Sequence, residues 1–211
     1  MKHLEINTFT GGIFDTNCFF LLEHGILIDA PQDAADWLAS AGLRVKVLLL
    51  THGHIDHTWD AARIVQEHGC RISCHPETVP LITERDFFLK MGLNWEVDPV
   101  SPDVLDLMEE SPETEVQGLK LQTLFVPGHC PGSLCFLAKE TGDLFGGDVL
   151  FAGGVGRWDL PGGDGPLLFE GIRKKVFALP DETKVLPGHG PATTVGIEKA
   201  TNPYVGIDAR F

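Results

Sequence analysis

The run Thr51-His52-Gly53-His54-Ile55-Asp56-His57 places four metal-ligand side chains within six positions, directly after the stretch Val45–Leu50, apolar but for Lys46. A mainly apolar run of that length predicts a buried strand, so the ligand-rich segment begins where a strand ends. Strand ends are where α/β proteins usually set their chemistry. In an extended loop, residues two apart point the same way, which lets His52 and His54 grip one ion. Asp56 and His57 fall where the chain turns into the next helix, so one short loop can feed two adjacent cations. Neutral imidazoles with a carboxylate suit zinc or iron, whereas calcium would want oxygen ligands throughout. The competing reading is a polar, helix-capping loop that happens to be rich in histidine.

Three further segments repeat the logic of an apolar strand, a tight glycine turn and a ligand-type residue. They are Leu124-Phe125-Val126-Pro127-Gly128-His129, Leu144-Phe145-Gly146-Gly147-Asp148 and Val185-Leu186-Pro187-Gly188-His189-Gly190. Glycine beside each ligand lets the backbone turn sharply and approach a crowded centre. Alone, each reads as a turn with a polar residue; together with the first segment they favour a shared metal site.

The order HxHxDH, His, Asp, His resembles the metallo-β-lactamase superfamily, and within it the single-domain bacterial glyoxalase-II-like thioester hydrolases. The resemblance extends from Thr16-Asn17-Cys18 to Asn202-Pro203. It takes in Pro127-Gly128-His129-Cys130-Pro131-Gly132-Ser133, Gly147-Asp148-Val149-Leu150-Phe151, Gly156-Arg157-Trp158-Asp159-Leu160-Pro161-Gly162-Gly163 and Gly188-His189-Gly190-Pro191. It implies a four-layer αββα sandwich of the α/β class. It also implies one ion at His52, His54 and His129, a second at Asp56, His57 and His189, and Asp148 as the bridge. Cys130 departs from the Thr or Ser more usual there, and Trp158 from a small polar residue. After His189 the sequence runs only from Gly190 to Phe211, so the helical extension that grips glutathione in two-domain glyoxalase II is not expected here.

The 211 residues suit one domain spanning 1–211, long enough to bury its own core. Short strands are expected at Ile6–Phe9, Asn17–Leu22, Gly25–Ile28, Val45–Leu50, Arg71–Cys74, Leu119–Val126, Leu134–Ala138, Asp143–Phe145 and Lys184–Leu186. Helices are expected at Asp33–Ala41, Asp60–His68 and Leu167–Leu179, the last with Leu168, Ile172 and Val176 as its buried stripe. From Pro76 to Val116 the pattern weakens, with a helical stretch near Leu81–Leu89. That region reads as an excursion over one face and not as a second domain. Two sheets packed face to face with helices outside are compatible with this order.

Sixteen basic against thirty acidic residues give a formal charge of −14. Such a surface repels phosphate backbones and anionic lipid, so neither nucleic acid nor membrane is expected as a partner, and a small molecule is. No apolar run approaches the ~18 residues of a membrane span, and no secretory signal is apparent, so a cytoplasmic location is expected. Five cysteines without CxxC spacing argue against a disulfide framework and read as small core residues, with Cys130 the one to watch beside a ligand. The sequence leaves the oligomeric state open.

The expected cofactor is a pair of divalent transition-metal ions, zinc first and iron or manganese as alternatives. Two cations roughly 3.5–4 Å apart bring a bridging water's pKa toward neutrality, which makes a hydroxide for attack on an acyl carbon without a Ser or Cys nucleophile. Asp56 would both ligate and orient that nucleophile. Outer contacts to the ligands are expected from Thr51, Ser133, Thr193 and Thr194. Arg157 is a candidate substrate contact, or else it pairs with Asp159 to brace its loop. Two other readings stand beside the thioester hydrolase. One is a mononuclear iron persulfide dioxygenase on the same scaffold, against which the Leu160-Pro161-Gly162-Gly163 continuation leans. The other is a catalytically silent metal-binding module.

Overall fold

The computed structural model describes residues 3–84 and 97–209. Two six-stranded sheets stack between helices. In the first, β1 (Ile6–Gly11), β2 (Thr16–Leu21) and β3 (Ile26–Ile28) form an antiparallel meander. From β3 the sheet continues in parallel through β4 (Val47–Leu49), β5 (Arg71–Cys74) and β6 (Leu105–Leu107). In the second, β7 (Ser111–Val116), β8 (Leu119–Phe125), β9 (Leu134–Ala138) and β10 (Asp143–Gly147) are antiparallel. A small hairpin of β11 (Leu150–Phe151) and β12 (Gly154–Val155) follows. Then β13 (Lys184–Pro187) joins β10 in parallel, and β14 (Thr193–Thr194) closes the edge.

The two-residue period of a strand sorts its side chains into separate layers. All six residues of β2 are buried. Phe19 and Leu21 enter the layer between the sheets with Ile26, Ile28, Leu49, Leu121, Leu134, Phe136, Phe145 and Leu186. Cys18 and Phe20 face the other way, with Leu27, Leu48 and Ile72, onto Ala35 and Leu38 of α1 (Ala34–Ser40) and Ile64 of α3 (Ala61–His68). Outside the second sheet, Leu124, Cys135, Leu144 and Val185 pack on Leu168, Ile172 and Val176. The expected four-layer sandwich is therefore observed, and strands buried on both faces explain why they read as apolar runs without alternation.

The long helix expected at Leu167–Leu179 begins two residues earlier, as α5 (Gly165–Gly171), and widens into a π-helical turn over Ile172–Val176. Pro166 suits its first turn and the Asp164 carboxylate accepts from Leu167 N–H at 2.9 Å, capping it. Its predicted stripe, Leu168, Ile172 and Val176, is fully buried.

The weakly patterned excursion contains α4 (Val79–Thr83), β6 and β7, and so supplies an edge strand to each sheet. The part of the Leu81–Leu89 helix that falls on residues 85–89 lies outside the described residues. Among the described residues no helix is long and apolar enough to cross a membrane. The five cysteines are buried and unpaired.

Candidate metal centre

Four strand ends meet at one edge of the sandwich. β4 leads through Leu50 and Thr51 into His52; the chain stays extended at His54 and then turns into α2 (Ile55–Thr58), which carries Asp56 and His57. β8 leads to His129, β10 to Asp148 and β13 to His189. All seven residues marked by the sequence come together here, and their donor atoms fall into three overlapping groups that could hold metal: His52, His54 and His129; His52, His57 and Asp148; Asp56, His57 and His189.

In the first group, His54 Nδ1 lies 3.1 Å from His52 Nε2 and 2.8 Å from His129 Nε2, and the latter two are 3.2 Å apart. In the second region, His189 Nε2 lies 3.1 Å from Asp56 Oδ2 and 3.4 Å from Asp148 Oδ2. Asp148 stands between the groups, with Oδ1 at 3.2 Å from His57 Nε2 and Oδ2 at 3.5 Å from His129 Nε2.

The other ring nitrogens are held from outside. His57 Nδ1 donates to Asp29 Oδ2 at 2.8 Å, His129 Nδ1 to the Arg157 carbonyl at 2.7 Å, and His189 Nδ1 to the Phe14 carbonyl at 3.0 Å. Thr51 Oγ1 gives its proton to Asp29 Oδ2 and so accepts from His52 Nδ1 at 3.1 Å. These acceptors hold the Nδ1–H side of each ring and turn Nε2 inward, an arrangement usual for metal-binding imidazoles.

The electrostatics divide along the same line. Burial, followed by the neighbouring imidazoles, keeps His52 well below its ordinary pKa, and burial with His129 takes His54 down to about 3. Burial also lowers His129, so this trio is neutral, the form a cation needs. Burial opposes charge on His57 too, but the Asp56, Asp148 and Asp29 carboxylates outweigh it and raise its pKa. His189 rises to about 10 because Asp148 and Asp56 overcome its burial. Burial pushes Asp148 up, yet His57 and His189 hold it well below the carboxylate range; Asp56 is held at about 2 in the same way.

The residues fit a metal. His57 Nε2 and Asp148 Oδ1 are buried without a hydrogen bond of acceptable geometry, a costly state that a shared cation resolves. Nitrogen and carboxylate donors together select a transition ion. Space is reserved for them: a Cβ at Gly188 would collide with Asp148 Oδ1 and fall 2.5 Å from His57 Cε1.

Of the outer contacts expected, Thr51 is found, but the other three hydroxyls go elsewhere. Ser133 donates to the Cys130 carbonyl, Thr193 to Glu198 Oε1, and Thr194 caps α6 (Val195–Thr201) through Ile197 N–H. In their place stand residues that were not singled out for the site. Asp29 and the Phe14 carbonyl hold imidazoles, and Thr16 donates to Asp56 Oδ2 at 3.0 Å. The one available signal for Asp29 was an acidic residue directly after an apolar strand.

Arg157 makes a two-pronged pair with Asp159 at 2.8 and 2.9 Å, and both are exposed. Trp158 packs edge-to-face on Phe169 and Tyr204. His75 stacks on Phe125 away from the cluster, and the buried Cys130 thiol is pushed up in pKa by its burial.

Known proteins give the same picture. Residues 11–189 match the family model described as the metallo-β-lactamase superfamily. Hydroxyacylglutathione hydrolase GloC of Haemophilus influenzae is 38% identical over 200 residues, covering 91% of this chain and 93% of the relative. Among solved structures, TTHA1623 in a di-iron-bound form is 36% identical with a TM-score of 0.80, covering 94% of this chain and 99% of that one. The BLEG-1 B3 metallo-β-lactamase is 28% identical with a TM-score of 0.87, covering 95% and 99% respectively. With seven His and Asp side chains gathered at four strand ends of an αββα sandwich, the chain belongs to the metallo-β-lactamase superfamily.

Proposed function

We propose that the protein is a metal-dependent thioester hydrolase of the glyoxalase-II-like kind, acting on a small acyl thioester such as S-lactoylglutathione. The observation that carries the reading is the pair of buried, unbonded donors His57 Nε2 and Asp148 Oδ1 between two histidine groups. This supports two ions: one at His52, His54 and His129, the other at Asp56, His57 and His189, with Asp148 shared. Zinc is the first choice, and the di-iron form of a relative 36% identical keeps iron open. When bound, such a pair supplies an acidified water and an electrophile for the acyl oxygen.

The chain's own groups do the rest. Asp56 is the more open of the two carboxylates, at 17% exposure against 10% for Asp148. Its pKa of about 2 keeps it ionised, so it can accept a hydrogen bond from an entering water and orient it toward the acyl carbon. No Ser or Cys nucleophile is required, and the raised pKa of buried Cys130 suits it to packing. Arg157 is neutralised by Asp159, and its carbonyl orients His129; this supports bracing over substrate attraction. The relative named a hydroxyacylglutathione hydrolase supports the thioester. The formal charge of −14 gives an anionic conjugate no long-range attraction, so a weak Michaelis constant is expected.

The test is a panel of S-lactoylglutathione, an acyl-coenzyme A, a β-lactam, a homoserine lactone and a phosphodiester, assayed with zinc and with iron. Turnover of a thioester above the others supports the proposal. A clear preference for lactam, lactone or phosphodiester over every thioester overturns the substrate while leaving the centre in place.

A further inference from the structure

The two histidine groups share Asp29, through Thr51 and His57, and are otherwise held from different parts of the chain. His52 and His129 are fixed by Thr51 Oγ1 and the Arg157 carbonyl. The group around His189 is instead reached from the start of β2, in the opposite sheet. Asn17 N–H donates to the Gly188 carbonyl at 2.7 Å, and its Nδ2 donates to the carbonyls of Pro187 at 3.0 Å and Gly190 at 2.9 Å. The backbone on both sides of His189 thus hangs on one side chain, which is itself steadied by Thr10 Oγ1 donating to its Oδ1 at 2.7 Å.

Thr16 completes the grip. Its backbone forms an isolated bridge with His189, and its hydroxyl donates to Asp56 Oδ2, the oxygen that His189 Nε2 approaches at 3.1 Å. Both residues are buried, Thr16 at 0% and Asn17 at 7% exposure. A buried amide is costly unless its donors and acceptor are used, and here they are. Among the described residues, no hydrogen bond joins either one to His52, His54 or His129.

We infer that Thr16 and Asn17 are positioning residues for one half of the centre: by tying β2 to the Pro187–Gly190 turn and to Asp56, they determine whether a second ion is held beside the first. The inference rests on the two-ion reading. It gives the Asp56–His57–His189 group a dependence on the Thr16–Asn17 tie that the His52–His54–His129 group does not share, its own tie across the sheets being Leu134 N–H to the Thr51 carbonyl at 2.8 Å.

Metal-free protein titrated with Zn²⁺ against a chromophoric chelator tests this without reference to turnover. The wild type takes up two equivalents. In Asn17→Ala and Thr16→Val, one equivalent weakens by about 10–100-fold, the size seen when an outer contact of a metal ligand is lost, and the other stays within about threefold. Thr16→Ser, which keeps the hydroxyl, binds as the wild type does. Parallel weakening of both equivalents, or no weakening of either, overturns the inference. If Asn17→Ala does not fold, Thr16→Val and Thr16→Ser carry the same contrast. A wild type that takes up a single equivalent overturns the two-ion reading itself, a different failure seen before any variant is compared.

Discussion

Asp29 Oδ2 accepts from His57 Nδ1 and from Thr51 Oγ1, each at 2.8 Å, and its Oδ1 accepts from Thr51 N–H at the same distance. One carboxylate therefore orients His57 directly and His52 through Thr51, one imidazole from each half of the centre. Asp29 sits in the left-handed region, φ 61°, which aims it across the end of β4. Asp29→Ala is expected to weaken metal binding by about 10–100-fold and to do so for both ions. Competition with a chelator measures this; unchanged affinity would show that the imidazoles need no such support.

Asp148 is placed to be shared, since its two oxygens face His57 on one side and His129 and His189 on the other. Asp148→Ala should lower the occupancy of both ions and abolish hydrolysis. Elemental analysis alongside activity checks it, and a variant with full metal and most of its turnover would show that Asp148 is no bridge.

Gly188 gives a steric prediction. A methyl there meets Asp148 Oδ1 and His57, so Gly188→Ala should cost about 1–3 kcal/mol and reduce metal uptake. Gly42 has nothing within 4 Å of its would-be Cβ, and Gly42→Ala, though strained at φ 65°, should leave metal uptake alone. Thermal melts with metal analysis of both variants separate the two effects.

Much of this was legible in the sequence. The seven candidate ligands were marked by residue type at strand ends, and the strands by apolar runs such as Leu134–Ala138. Of the four edge strands, β1 was, but β6, β7 and β14 were not. β7 reads Ser-Pro-Glu-Thr-Glu-Val and buries fully only Val116, so no apolar pattern announces it, and an edge tolerates Pro112. Asp29 was missed because its partner His57 lies 28 residues on, a contact set by backbone direction and not by spacing. Thr194 was misjudged because an N-cap role and a role beside the nearby His189 look alike in sequence.

Protons should report the two halves of the centre separately. At about pH 7.5 the metal-free protein carries protons on His57 and His189, whose pKa values lie above the ordinary imidazole value, but not on His52, His54 or His129, whose values lie below it. One equivalent of metal should then draw close to no protons from its imidazoles and the other about two, with ionisation of the acidified water adding to the second step, by calorimetry in buffers of different ionisation enthalpy. As pH rises through about 10, His189 is already unprotonated and its share of the release disappears. Equal release at both steps would contradict the division.

The metal content of protein purified without added metal bears most directly on the whole account. Seven donors in three overlapping groups, read as two sites sharing Asp148, predict close to two transition-metal ions per chain, as zinc or as iron. A reproducible single iron with no zinc would contradict the two-ion hydrolase and favour the mononuclear dioxygenase.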